Sequence, residues 1–151
     1  MRRSVLRRKS GVAYYRGDPP KKTPSYTGPS REVVEAVLDR ANWCCERCST
    51  PISGMRGVFW SVHHRRPRAL GGTRWAGVNL PSNLLVLCGS ATSPGCHQEV
   101  ESHRADALYA GWLVASGLDP ARVAVLVHRA SRWVYLTDTG YADDPPKRGA
   151  A

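Results

Sequence analysis

Three histidines and one asparagine are the residues of this sequence best suited to chemistry. His63 and His64 are adjacent and follow an apolar run, and Asn83 and His97 come later in the chain. A neutral imidazole can act as a general base near neutral pH, and it can also bind a divalent metal. These residue types suit phosphodiester hydrolysis, which needs an activated water and a cation beside the phosphate. An isolated histidine is usually an ordinary surface or core residue, and we predict this for His128.

Four cysteines bracket these histidines. Cys45 and Cys48 form a Cys-x-x-Cys knuckle before them, and the second pair is Cys88 and Cys96. Structural zinc takes four thiolate or imidazole ligands in a tetrahedron, so we predict one zinc ion held by these four cysteines, with Cys44 outside the site. The seven residues between the second pair would then have to loop out. The alternative is a set of buried free cysteines.

The composition limits the class of protein. The chain has 151 residues, a net charge of +10 and a pI near 9.9, which favours nucleic acid or another acidic surface as the partner. Part of the excess charge lies near one end, where it could be only a solvated tail. Five cysteines cannot all pair in disulfides, and no apolar run is long enough to span a membrane. We therefore expect a cytoplasmic protein of a reducing compartment with no membrane partner.

The chain divides into an arm, one domain and a tail. Residues 1–29 are basic and interrupted by prolines, which predicts a flexible arm. The domain is expected over residues 30–140, and residues 141–151 are expected to be a disordered tail. The domain should open with a helix capped by Ser30, whose apolar face consists of Val33, Val34, Val37, Leu38 and Ala41.

The elements that would position the histidines can be read from the apolar periodicity. Residues 58–63 alternate as a strand does, with Phe59, Ser61 and His63 on one face. Residues 84–87 could form a strand or a helical turn. A helix is predicted from Cys96 to about Ala115, ended by a glycine at 117, and a β-hairpin is predicted over residues 121–138.

Taken together, these motifs resemble the HNH, or ββα-metal, endonucleases, and in particular the small forms carried by bacteriophages. The resemblance covers roughly residues 41–104 and rests on the His-His pair, the Asn-Leu step, the closing Cys-His pair and the enclosing cysteines. It implies an α+β fold, in which a ββα-metal core of about residues 41–116 is stapled by a structural zinc with four cysteine ligands. An N-terminal helix would precede this core and a C-terminal β-hairpin would follow it.

The resemblance also implies a role for each site residue. His63 and His97 would bind a catalytic divalent ion, His64 would activate the water, and Asn83 would clamp the loop that follows His64. The third ligand is suggested by helix spacing and not by the resemblance: Glu101 lies one turn beyond His97, and His103 is the alternative. The family more often has aspartate where this chain has His63. The imidazole shifts the preference from Mg²⁺ towards Mn²⁺, so Mg²⁺ or Mn²⁺ is expected, with Ni²⁺ or Zn²⁺ as alternatives.

Cationic residues flank the expected site and would contact the DNA backbone. They are Arg65, Arg66, Arg68 and Arg74. A solvated loop is the alternative for each of them. Nothing in the sequence is suited to reading bases in the major groove, so little sequence specificity is expected.

The sequence therefore predicts a metal-dependent endonuclease that nicks DNA or cuts both strands. The phage-borne relatives imply DNA processing or packaging in a bacterial host cytoplasm, beside terminase or packaging proteins, as a monomer or a homodimer. The first alternative is a non-catalytic, zinc-stabilised module that binds nucleic acid. A weaker one is an interaction protein that acts through its basic arm.

Overall fold

In the computed structural model, residues 27–68, 75–128 and 132–146 are described. These residues form a mixed α+β unit with three α-helices and two small antiparallel sheets, as the sequence predicted at this coarse level. Almost all of the expected arm over residues 1–29 lies outside the described part, as does Arg74. Over the described ranges, no helix has both the length and the apolar character needed to cross a membrane.

The first helix, α1, spans Arg31–Ala41 and begins as predicted. The side chain of Ser30 accepts a hydrogen bond from the backbone N–H of Val33, which satisfies one of the free donors of the first turn. The buried face of the helix consists of Val34, Val37, Leu38 and Ala41. This face forms one side of a single apolar core.

Two short strands and a helix form the centre of the unit. Strand β1 (Trp60–His64) pairs antiparallel with β2 (Leu84–Cys88), and α2 (Cys96–Ser102) follows β2 and packs against both strands. The apolar run over residues 84–87 is thus a strand, which settles the choice that the periodicity left open. Strand β1 begins two residues later than predicted, since Val58 and Phe59 lie in an exposed turn before it.

The long helix predicted over residues 96–115 is wrong in its length. It is broken at His103, whose backbone leaves the helical region, and a second helix, α3, spans Arg104–Tyr109. The chain turns at Gly111 (φ +71°), where a Cβ atom would lie 2.0 Å from the Ala124 carbonyl oxygen. The close approach of that segment, and not the glycine at 117, therefore ends the helical stretch.

The C-terminal sheet is larger than the predicted hairpin. Strand β3 (Val125–Val127) pairs with β4 (Arg132–Leu136), and a further strand, β5 (Tyr141–Ala142), pairs with β4 on its other side. The tail predicted to be disordered from residue 141 thus begins with an ordered strand. Tyr141 is fixed because its hydroxyl donates a hydrogen bond of 2.8 Å to Glu46.

A buried ion pair joins the first helix to the cysteine knuckle. Two nitrogens of Arg40 donate to the two carboxylate oxygens of Glu46, each at 3.0 Å, and both side chains are 2% exposed. The carboxylate also accepts from the Val86 backbone N–H at 2.7 Å. Because its partners come from α1, β2 and β5, Glu46 holds the knuckle against the core from three directions.

Candidate metal centre and catalytic pocket

The four cysteines predicted to bind zinc come together at one end of the β1–β2 pair. The Sγ atoms of Cys45, Cys48, Cys88 and Cys96 all lie within 4.8 Å of one another, and those of Cys48 and Cys88 are 3.8 Å apart. Sulfur atoms around a tetrahedral zinc are about 3.8 Å apart, given Zn–S bonds of about 2.3 Å. The cluster can therefore hold a metal such as zinc, and Cys44 lies outside it as predicted.

The insert between the second pair of cysteines closes on itself. Gly89 (φ +73°) and Gly95 (φ +149°) allow the two ends to meet, since a Cβ atom at Gly95 would lie 2.6 Å from the Cys88 carbonyl oxygen. The backbone N–H of Cys96 consequently points at Cys88 Sγ, 3.4 Å away. The seven-residue separation is thus compatible with one four-sulfur site.

The thiols of this cluster shift one another's pKa. The hydrogen bond from the Cys96 thiol lowers the pKa of Cys45, and the same contact raises the pKa of Cys96. A thiolate among close thiol neighbours is the donor set that zinc prefers, and metal binding would displace the remaining protons.

Replacing Cys48 by serine is expected to remove bound metal and to lower the free energy of unfolding by several kcal/mol. Cys48 is exposed, so the loss would come from the metal and not from core packing; structural zinc contributes about 10–16 kcal/mol in small domains. The checks are elemental analysis of the purified protein and urea unfolding. The matched control is Cys44→Ser, which should keep its metal; equal zinc content in both variants would contradict the four-cysteine site.

A second group of metal-binding side chains comes from β1 and α2. Ligand atoms of His63, His97 and Glu101 fall within 4.8 Å of one another. The two imidazole centroids are 5.0 Å apart, and His63 Nδ1 lies 3.6 Å from Glu101 Oε1. Two nitrogens and one carboxylate oxygen with room for further ligands are the donor set of an open catalytic metal site, so the residues fit such an ion.

Of the two candidates for the third ligand, the geometry favours Glu101. It lies one helical turn beyond His97 on α2 and therefore on the same face. His103 is at the helix break, 61% exposed, and its Nδ1 lies 3.5 Å from Glu99 Oε2. Six residues past His97, His103 is also off the helix face that carries His97 and Glu101.

A hydrogen bond to the backbone of Trp112 fixes the orientation of the His63 ring. Its Nε2 lies 3.2 Å from the carbonyl oxygen of Trp112, which can only accept, so Nε2 carries the proton. This leaves Nδ1, the nitrogen near Glu101, with a free lone pair. A backbone carbonyl behind a ligand imidazole is a common arrangement at metal sites, because it sets both the tautomer and the ring direction.

His64 is held by an equivalent chain of hydrogen bonds. The Asn79 amide nitrogen donates to the Thr27 carbonyl at 3.2 Å, so its Oδ1 faces His64 Nε2 at 3.0 Å and must accept from it. His64 therefore keeps its lone pair on Nδ1. His64 lines an open pocket of about 310 Å³ together with His63 and His97.

Burial favours the neutral form of all three imidazoles. Burial, together with the neighbouring His97, lowers the pKa of His63 to about 3. Burial also lowers the pKa of His64, with smaller effects of the charges on Arg68 and Arg56, and it lowers the pKa of His97. Neutral imidazoles are the form that binds metal and accepts protons.

Asn83 is placed as the sequence predicted. It is fully buried, and its Oδ1 accepts from the backbone N–H of Arg66 at 2.7 Å while its Nδ2 donates to the Val78 carbonyl at 2.8 Å. These bonds clamp the loop after His64 to the 3₁₀ turn that ends at Asn79. Asn83 thus supports His64 indirectly, through the turn that carries its hydrogen-bond partner.

The prediction that Arg65 contacts DNA is wrong. Its side chain is 0% exposed and its nitrogens donate to backbone carbonyls, so no phosphate can reach it. Arg68 lines the histidine pocket, and Arg66 is half-buried over the Trp75 ring, so neither is enclosed as Arg65 is. For Arg66 and Arg68, contact with DNA stays a prediction.

Sequence reasoning missed two side chains that contact the histidines. Asn79 bonds His64, and Ser61 Oγ lies 2.6 Å from His97 Nδ1. A signal existed for Ser61, since it is two residues before His63 and so shares its strand face. For Asn79 there was none, because a single asparagine in a loop is usually a turn residue.

Compared with protein-family models, with curated proteins and with solved structures, the chain gives no match.

Proposed function

We propose that this protein is a metal-dependent endonuclease of the ββα-metal type that hydrolyses DNA phosphodiester bonds. The observation that carries the proposal is the convergence of His63, His97 and Glu101 on one open pocket that His64 also lines. A basic protein with such a pocket is suited to a phosphodiester substrate, because the net charge of +10 attracts nucleic acid.

The order of the elements around the pocket supports the same proposal. The two adjacent histidines end β1, Asn83 directly precedes β2, and His97 lies in the first turn of α2. A strand pair followed by a helix that brings the closing histidine back to the first pair is the arrangement implied by the resemblance to the HNH nucleases. The cysteine cluster would then staple the two ends of this core.

In the proposed mechanism, three side chains bind the catalytic metal ion. His63 through Nδ1, His97 and Glu101 would hold one divalent cation, with Mg²⁺ or Mn²⁺ as the expected ion and Ni²⁺ or Zn²⁺ as alternatives. When bound, this cation acts as a Lewis acid that stabilises charge on the phosphate and the leaving oxygen. Glu101 is 42% exposed, so the ligands sit at an open surface that a DNA backbone can approach.

His64 is the proposed general base. Its Nε2 is occupied by Asn79, so Nδ1 is the nitrogen that takes a proton from the attacking water. Arg68, which lines the same pocket, is suited to hold a phosphate oxygen in position. Both roles use side chains that local hydrogen bonds have already oriented, so little reorganisation is needed at the moment of reaction.

The proposal is tested by incubating supercoiled plasmid with the purified protein and Mg²⁺ or Mn²⁺. We expect nicked or linear product with either ion and none in the presence of EDTA. Retarded migration of uncut DNA under all conditions would instead favour the zinc-stabilised binding module, for which the basic charge and the cysteine cluster would suffice. Products that persist in EDTA would contradict a metal-dependent reaction.

A further inference from the structure

Ser61 bridges the two groups of metal-binding side chains. It is the second residue of β1 and 8% exposed, and its Oγ is 2.9 Å from the Gly89 carbonyl oxygen and 2.6 Å from His97 Nδ1. Gly89 directly follows Cys88 of the cysteine cluster, whereas His97 belongs to the histidine pocket. One hydroxyl thus contacts both sites.

The directions of these two hydrogen bonds are determined by chemistry. A hydroxyl has a single proton, and a backbone carbonyl can only accept, so Ser61 donates to Gly89. Its oxygen must then accept from His97, which means that Nδ1 of His97 carries a proton. The only lone pair left on this imidazole is on Nε2.

Ser61 thus fixes the tautomer of His97, as the Trp112 carbonyl fixes that of His63. In each case an acceptor binds one ring nitrogen and leaves the other free for a cation, although the free nitrogen is Nδ1 in His63 and Nε2 in His97. Without Ser61, His97 could adopt either tautomer or rotate its ring. The hydrogen bond to Ser61 fixes one tautomer and one ring orientation of His97 before a cation binds.

The Gly89 carbonyl, which orients Ser61, is itself positioned by the fold of the loop between Cys88 and Cys96. The Gly89 N–H donates to the Phe59 carbonyl at 2.8 Å. Only glycine suits this position, because its φ is +73° and a Cβ atom would lie 2.5 Å from the Pro94 carbonyl oxygen. The loop conformation that brings Cys88 and Cys96 together is therefore the one that points Gly89 at Ser61.

We propose that Ser61 is a positioning residue that presents Nε2 of His97 to a divalent cation, and that through Gly89 it makes this presentation depend on an intact cysteine cluster. The proposal rests on the proposed function only in assigning His97 as a metal ligand. It adds a residue that touches neither the cation nor the DNA, and a direct link between the two metal sites.

The test measures Mn²⁺ affinity in zinc-loaded protein from the electron paramagnetic resonance signal of free Mn²⁺. Loss of a group that orients a metal ligand typically costs about 10- to 100-fold in metal affinity, so Ser61→Ala is expected to raise the Mn²⁺ dissociation constant by about 10-fold or more. Ser61→Thr keeps the hydroxyl and should stay close to wild type. The matched control is Ser82→Ala, at a buried serine that belongs to neither cluster, and its Mn²⁺ affinity should be unchanged.

Zinc content and melting temperature are measured on the same samples, together with the imidazole ¹⁵N spectrum of His97. The expected spectrum has the proton on Nδ1 in wild type and in Ser61→Thr, and a tautomer mixture in Ser61→Ala. Unchanged Mn²⁺ affinity in Ser61→Ala, or an equal loss in Ser61→Ala and Ser61→Thr at unchanged melting temperature, would overturn the role of Ser61.

The link to the cysteine cluster is tested with Cys48→Ser, whose metal-free form should show weaker Mn²⁺ binding and the same tautomer mixture as Ser61→Ala. Wild-type Mn²⁺ affinity in this variant would overturn the link. A final variant, His97→Ala, separates this inference from the proposed function. If it binds Mn²⁺ as tightly as wild type, the histidine site itself is wrong; if it alone loses binding, only the role of Ser61 fails.

Discussion

Replacing His64 by alanine is expected to lower the rate of plasmid cleavage by about 10²- to 10⁴-fold, the usual contribution of a general base. The change should leave the metal sites intact, because His64 is not among the side chains that meet around either cluster. Mn²⁺ affinity and zinc content should therefore match those of the wild type. A rate loss without a binding loss is the signature of a group that moves a proton.

The size of the effect follows from how His64 is held. Burial lowers its pKa, which favours the neutral imidazole, and Asn79 occupies Nε2 so that the basic nitrogen has a defined direction. Alanine removes the base and leaves an empty volume that water can fill. A randomly oriented water would still react, but without a group to take its proton.

His128→Ala is the matched control for this substitution. His128 is exposed directly after β3 and is not among the residues that line the histidine pocket, so its removal should change the cleavage rate by less than about twofold. Full activity of His64→Ala, in a preparation shown to be free of contaminating nuclease, would contradict the assignment of the base. Loss of zinc or of the folded state in the same variant would show that His64 is structural.

The parts of the site that could be predicted are those encoded by local spacing. A Cys-x-x-Cys knuckle brings two sulfurs together whatever surrounds it, and adjacent Cys96 and His97 at a helix start necessarily serve neighbouring sites. Ser30 likewise caps a helix through a contact only three residues away. In these cases the physical cause lies within one turn of the chain.

What could not be predicted depends on contacts between distant segments. Asn79 acts on His64 because Thr27 fixes its amide, and the helix from residue 96 breaks at His103 without any proline or glycine at that point. Tyr141 is ordered by Glu46, which is 95 residues away. The apolar periodicity of the sequence does not predict which distant residues will be in contact. Each of these residues, taken alone, looks like an ordinary loop or tail residue.

Arg65 shows this difference most clearly. In the sequence it is one of several arginines in a polar loop, where charged side chains are nearly always solvated. In the fold its guanidinium is buried and donates to the carbonyls of five residues: Gly111, Ser82, Pro120, Val123 and Ala124. Burial lowers its pKa to about 9, which leaves it charged at neutral pH.

Replacing Arg65 by methionine is therefore expected to destabilise the protein severely. The methionine fills much of the same volume but removes these five hydrogen bonds, at about 1 kcal/mol each, although the Pro120 carbonyl keeps the backbone N–H of Val123 as a donor. The expected loss of about 5 kcal/mol is comparable to the whole free energy of unfolding of a domain of this size, about 5–15 kcal/mol. Arg65→Lys should also be destabilised, because an ammonium has three donors and lacks the planar fork.

The consequence should extend to the catalytic pocket, because Arg65 anchors the segment that positions His63. Its Nε donates to Gly111 at 2.7 Å, and the next residue, Trp112, supplies the carbonyl behind His63. Urea unfolding followed by tryptophan fluorescence measures the stability, with Arg66→Met as the matched control. That neighbouring arginine is half-buried over the Trp75 ring, so its loss should cost less than about 1 kcal/mol while weakening DNA binding. Equal midpoints for the two variants would mean that Arg65 is solvated in solution, and the original expectation of a phosphate contact would then stand again.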